Sequence, residues 1–113
     1  MQNSEWNLAG KTYLVSGASS GIGAETAVAL GRHKANVVLA ARRTAECEAV
    51  AERVRAASGQ AWVMALDVTD EASVQRSVEA TVQHFGRLDG AFNNAGALGV
   101  AGPLHTLNAA DVQ

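Results

Sequence analysis

At 113 residues the chain is long enough for one domain with one hydrophobic core, and 48% hydrophobic against 18% charged residues with a single proline, Pro103, excludes a disordered or fibrous chain. A net charge of −2 with nine scattered lysines and arginines leaves no basic face for nucleic acid. The start, Met1-Gln2-Asn3-Ser4-Glu5, lacks the basic and apolar regions of a signal peptide, no apolar run could span a membrane, and the one cysteine, Cys47, forms no internal disulfide, so the expected location is the cytoplasm.

Apolar runs at 12 to 15, 37 to 40, 61 to 66 and 90 to 92 alternate with three segments of helical period. This is the pattern of right-handed βαβ units on a parallel sheet, and it predicts four strands and three helices. The first strand runs into Ser16-Gly17-Ala18-Ser19-Ser20-Gly21-Ile22-Gly23, which places three glycines at a strand-to-helix turn. Gly17 permits the tight turn, Gly21 lets the backbone approach a pyrophosphate, and Gly23 allows close helix-to-strand packing, while the first N–H groups of the helix face the anion. The helix itself, about 21 to 33, carries Ile22, Ala29 and Leu30 at i, i+7 and i+8 as its predicted sheet-facing residues.

The second strand ends at Val37-Val38-Leu39-Ala40-Ala41-Arg42-Arg43. In dinucleotide-binding units an acid at this point accepts the ribose hydroxyls and selects NAD, whereas an arginine accommodates the 2′-phosphate of NADP. Ala41 stands where the acid would be and Arg42 and Arg43 follow, so the residues favour NADP over NAD. The plainer alternative is a solvated arginine pair at a helix start, where the dipole disfavours positive charge. The second helix, about 44 to 58, shows Cys47, Val50, Val54 and Ala57 on one stripe, with Cys47 as core filler and Gly59 as the residue that ends the helix.

The third strand ends at Leu66-Asp67-Val68-Thr69. Asp67 at the carboxyl end of a parallel strand either meets an adenine amino group or merely orders the turn into the third helix. That helix, about 70 to 85, is predicted to bury Val74, Val78, Val82 and Phe85, with Thr69 as N-cap and Gly86 as terminator. The fourth strand ends at Phe92-Asn93-Asn94-Ala95-Gly96, where two amides and two small residues let the backbone lie against a ribose, or form an ordinary turn. From Ala97 the chain is a small-residue loop with a helix start at Asn108, close to Gln113, so the natural domain is expected to continue.

Gly17 to Gly23, Arg42-Arg43, Asp67-Val68 and Asn93-Asn94-Ala95-Gly96 together resemble the short-chain dehydrogenase/reductase family over nearly the whole chain. The resemblance implies a Rossmann-type doubly wound α/β fold, a parallel sheet of strand order 3-2-1-4 truncated after strand 4. It further implies NADP(H) at the switch point between strands 1 and 4, a small-molecule carbonyl or alcohol substrate, and a homo-oligomer. Carried over by position, Gly17, Ala18, Ser19, Ser20, Gly21, Ile22 and Gly23 would hold the pyrophosphate and Arg42 the 2′-phosphate. Asp67 and Val68 would hold the adenine, and Asn93, Ala95 and Gly96 the adenosine ribose side. Residues 1–113 would then be an incomplete NADP-binding domain without catalytic groups.

The family's Tyr-x-x-x-Lys motif is absent: the one tyrosine, Tyr13, lies in the first strand with Gly17 four residues on. The chain on its own is therefore expected to be inactive. Lys34 stands where the family often has a glycine closing the first helix, at a cost of about 1 kcal/mol for a left-handed non-glycine residue. His33, His84 and His105 suit helix ends and surface, and no Cys/His cluster has metal-ligand spacing. Two rival readings are a hydrolase with Ser19 in a G-x-S-x-G elbow, served by Asp67 and His84 or His105, and a non-catalytic NADP-binding module. The elbow reading leaves no strand ahead of the first to supply an oxyanion loop.

Overall fold

The computed structural model describes residues 7–19 and 21–93. The apolar runs form strands and the periodic segments helices: β1 (Thr12–Ser16), α1 (Gly21–Arg32), β2 (Asn36–Ala41), α2 (Thr44–Ala56), β3 (Gln60–Ala65), α3 (Glu71–Phe85) and β4 (Gly90–Asn93). The sheet is parallel throughout, in the predicted order β3-β2-β1-β4. Alternate side chains of a strand point to opposite faces. Val15, Val37 and Leu39 meet α1 and α2, while Leu14, Val38, Ala40 and Ala91 meet α3. With helices on both faces β2 is buried along its whole length, which is why Val37 to Ala41 is an unbroken apolar run, and buried Asn36 donates to Thr12 Oγ1 at 3.2 Å. The features predicted at Ser20, at Asn94, Ala95 and Gly96, and from Ala97 through His105 and Asn108, lie outside the described residues.

Helix α1 corrects the predicted stripe. Ile22 is 77% exposed, Ala29 is exposed and Leu30 half-buried. The buried face is Gly23, Ala24, Ala27, Val28 and Gly31 instead. Small residues win because α1 and α2 pack almost backbone to backbone: a Cβ on Gly31 would sit 2.9 Å from Val54 Cγ1. Picking the larger apolar residues therefore selects the wrong side.

The end of α2 is a second correction. Ala56 is the last helical residue, and Ser58, not Gly59, takes the left-handed conformation with φ 94°. The Ser58 N–H donates to Arg55 O at 3.0 Å and the Gly59 N–H to Val54 O at 3.0 Å, which satisfies the last carbonyls. Gly59 is needed for space, since a Cβ there would lie 2.6 Å from the Gly31 Cα. The stripe also includes Ala51, with Ala57 only half-buried. Helix α1 ends in the same way, with Lys34 left-handed at φ 73° as predicted.

In α3 the N-cap is Asp70, whose side chain accepts from the Ala72 N–H, and Thr69 turns away to Asp67. Val78 is buried, but Val74, Val82 and Phe85 are half-buried and Ser77 and Thr81 fill the inner face. Both hydroxyls donate to carbonyls of their own helix, Ser77 to Val74 O at 2.7 Å and Thr81 to Ser77 O at 2.8 Å, so burial costs little. Gly86 closes α3 at φ 87° as predicted.

Candidate functional site

The carboxyl ends of the strands gather most of the predicted site. Gly17 (φ 67°) and Gly21 (φ 60°) hold the β1–α1 loop in left-handed turns that favour glycine. The space where a Gly21 side chain would start is empty to 4 Å, so a ligand can reach the backbone there. Gly23 acts within the loop, because a Cβ on it would collide with the Gly17 carbonyl; its close approach is to the loop, not to a strand. Ala18 is fully buried and its N–H donates to Ala40 O at 3.4 Å, which ties the loop to β2.

Beside this loop lies an open crevice of about 340 Å³, bounded by Gly17 and Ser19, by Arg42 and Arg43, and by Asp67 and Val68. Ile22 lies off it, on a neighbouring groove spanned by the Glu25–Arg53 ion pair. Asn93 is placed at the end of β4, where Ser16 Oγ donates to its Oδ1 at 3.0 Å. The structure thus joins six of the predicted residues around one crevice, while Gly21 and Ile22 line the neighbouring groove, Gly23 packs inside the loop and Asn93 stands at the end of β4.

Arg42 and Arg43 are exposed, with side chains 73% and 80% accessible, and each meets a carboxylate: Arg42 Nη2 lies 3.6 Å from Asp67 Oδ2, and Arg43 Nη1 lies 3.6 Å from Glu46 Oε2. Glu46 in the first turn of α2 offsets the arginines' unfavourable place at the positive helix end. Asp67 is strongly held. Its Oδ1 accepts from the Thr69 hydroxyl at 2.6 Å and the Thr69 N–H at 3.0 Å, and its own N–H donates to Ser73 Oγ at 3.1 Å. The Thr69 hydroxyl foremost, then the Thr69 N–H and the Arg42 charge, keep its carboxyl below the usual range.

At the other end of the strands Asp89 clamps β4 to β1. It accepts from the Thr12 N–H at 2.8 Å and from Arg87 at 2.8 and 2.6 Å, while its own N–H donates to Thr12 O at 2.8 Å. Burial opposes ionisation of Asp89, but the Arg87 and Thr12 donors outweigh it and its pKa is lowered. Sequence reading missed this residue and Ser73, and gave Thr69 a capping role and Ser16 no partner; the Arg-x-Asp spacing just ahead of a strand was the available signal for Asp89. Tyr13 stays structural. It sits at the entry side of β1 over Gly90, and burial first, then Asp89, raises its pKa.

Among the described residues the hydrolase arrangement does not form with His84, and His105 lies outside them. Asp67 is engaged by Thr69 and Arg42, and the His84 ring stacks on Trp62 at 4.0 Å on the α3 side of the sheet. Among the described residues no group of three metal-ligating side chains exists, and no helix is long and apolar enough to cross a membrane.

The sequence matches the short chain dehydrogenase family over residues 11–113. It is 42% identical over 105 residues to the short chain dehydrogenase/reductase astE of Aspergillus oryzae, covering 92% of this chain and 40% of that protein. It is 39% identical over 88 residues to an uncharacterized oxidoreductase of Listeria innocua, covering 78% of this chain and 36% of the relative. A metagenomic short-chain oxidoreductase, solved in complex with NADP, superposes with a TM-score of 0.77 at 37% identity, over 80% of this chain and 41% of that one. The chain thus spans well under half the length of these relatives.

Proposed function

This chain belongs to the short-chain dehydrogenase/reductase family, and we propose that it holds NADP(H) for an oxidoreductase acting on a small-molecule carbonyl or alcohol. The observation that carries the reading is the pairing of Arg42 and Arg43 at the crevice with Ala41 in place of a ribose-binding acid. The solved relative bound to NADP supports it. When bound, the cofactor supplies or accepts the hydride.

The residues fit that group. The open backbone at Gly21 and the turn at Gly17, with Ser19 between them, would face the pyrophosphate at the amino end of α1, while buried Ala18 ties the loop to β2 and Ser20 is assigned by sequence position alone. Arg42 presents a planar fork to the 2′-phosphate, with Arg43 adding charge. Val68 offers an apolar wall to the adenine, and Asn93 at the end of β4 would serve the adenosine ribose, with Ala95 and Gly96 assigned to it by sequence position alone. Residues 1–113 form the cofactor-binding unit in this reading.

Titration of NADPH fluorescence and competition by NAD test it. A charge-assisted hydrogen bond contributes about 1.5 to 3 kcal/mol, so Arg42→Ala should weaken NADP binding roughly tenfold to a hundredfold and spare NAD. Equal losses for both cofactors reject the assignment.

A further inference from the structure

We propose that the outer edge of β3 is a pairing surface for the β3 of a second copy of this chain, and that Arg55 keeps it closed. Among the described residues β3 has β2 on one side and no strand on the other. Its six residues, Gln60-Ala61-Trp62-Val63-Met64-Ala65, contain no charge and no proline, and they run in unbroken register with Asn36–Ala41 of β2. A strand edge is ordinarily blunted by a charged side chain of its own, a proline or a bulge. β3 has none of these. The Gln60 and Leu66 N–H groups donate to Ala35 O and Ala41 O on the β2 side, so the backbone groups of Ala61, Val63 and Ala65 point outward by the alternation of a strand.

Arg55 supplies from the neighbouring helix what the strand lacks. It stands in the last turn of α2, where its Nη1 lies 2.9 Å from Glu52 Oε2 and its Nη2 donates to Ala61 O at 3.1 Å. One guanidinium thus takes an outward acceptor and holds a charge on the edge. A two-fold antiparallel pair centred on Val63 would set each Ala61 opposite Ala65 of the second copy and each Trp62 opposite Met64. The strands carry no like charges to oppose one another there, and a thioether against an indole is a favourable contact. Arg55 opposes the pair at both of its ends, because each guanidinium would have to leave its carbonyl or be buried away from water, and burying a charge is costly. The bond from Arg55 forms within one chain and is charge-assisted, whereas strand pairing also requires two copies to meet, so the closed edge prevails.

Sedimentation equilibrium over a range of concentrations, read beside hydrogen exchange of the Val63 amide, tests the proposal on the 113-residue chain. In wild type the Val63 amide should exchange at a rate that does not depend on concentration. Arg55→Ala should raise the self-association constant about tenfold or more, since a carbonyl is released on each copy, and should protect Val63 as concentration rises. Arg55→Ala combined with Ala65→Pro should lose that gain, because the proline removes an outward donor while the bonds to β2 stay. An association constant unmoved by Arg55→Ala overturns the proposal. So does a gain that survives Ala65→Pro or comes without protection of Val63, since either puts the contact on another face. Concentration-dependent protection of Val63 in wild type overturns it as well, because the edge would then be open with Arg55 in place. Should Arg55→Ala unfold, Arg55→Met keeps the stem of the side chain, removes the guanidinium and carries the same expectations.

Discussion

Ser16 at the end of β1 donates its hydroxyl to Asn93 Oδ1 at 3.0 Å, with Phe92 O at 3.3 Å as a second acceptor, so one buried side chain sets the end of the neighbouring strand. The two residues are register partners across the β1–β4 pair, 77 positions apart in sequence. They sit where the chain order reverses in the sheet, the point at which open α/β sheets bind ligands.

Ser16→Ala removes the donor but leaves both acceptors in place. Both acceptors are half-buried, so the loss is that of an ordinary hydrogen bond, about 0.5 to 1.5 kcal/mol. Thermal unfolding should therefore show a modest loss of stability, and the Asn93 side-chain amide resonances should shift. An unchanged melting temperature together with unshifted Asn93 resonances would show that the contact does not hold the strand end.

Ser58 and Gly59 are adjacent, yet substitutions there should have opposite signs. Ser58 is left-handed without being glycine, a conformation that costs roughly 1 kcal/mol, so Ser58→Gly should stabilise by up to about that amount. Gly59→Ala drives a methyl to 2.6 Å from the Gly31 Cα and should destabilise by about 1 to 3 kcal/mol. Chemical denaturation of both variants checks the pair. Had Gly59 been the left-handed residue, as its sequence position suggests, Ser58→Gly would bring no gain.

Element types and the crevice-lining loops were legible in the sequence because each rests on a local signal, namely apolar runs, turn glycines and the residues after strand ends, whereas the strand order came from the family resemblance. Packing was less legible. The buried faces of α1 and α3 contain Gly31, Ser77 and Thr81, residues that hydrophobicity ranks low, and they are inside because the neighbouring backbone is close or their hydroxyls are satisfied in the helix. The partners of charged groups were not legible either. Arg42 with Asp67, and Thr12 with Asp89, meet only after the strands have paired.

Acid should probe Asp89 directly. Its folded pKa lies below the unfolded value of about 3.9, so its carboxylate stabilises the fold above that value, and the contribution is lost as pH falls through the folded pKa. Asp89→Ala should lower stability at neutral pH by about 1.5 to 3 kcal/mol, because Arg87 and the Thr12 N–H lose a charged acceptor. Between pH 7 and pH 3 the gap between wild type and variant should narrow. A gap that stays constant across this range would mean that the ionised carboxylate contributes nothing.

Reduction of a carbonyl by hydride needs an acid to protonate the developing alkoxide, and a positioned group contributes about 10² to 10⁴ in rate. The one tyrosine of the chain is unsuited to this. Tyr13 lies at the entry side of β1, in register with Val37 and Gly90 and away from the crevice at the opposite strand ends, and burial raises its pKa instead of lowering it. Gly17, not a lysine, stands four residues on. The 113-residue chain should therefore shift or quench NADPH fluorescence yet fail to oxidise NADPH with a panel of ketones, aldehydes and quinones. Turnover abolished by Tyr13→Phe would overturn the assignment of these residues to cofactor binding alone. Activity that arises only on adding a catalytic segment from a related dehydrogenase would agree with it.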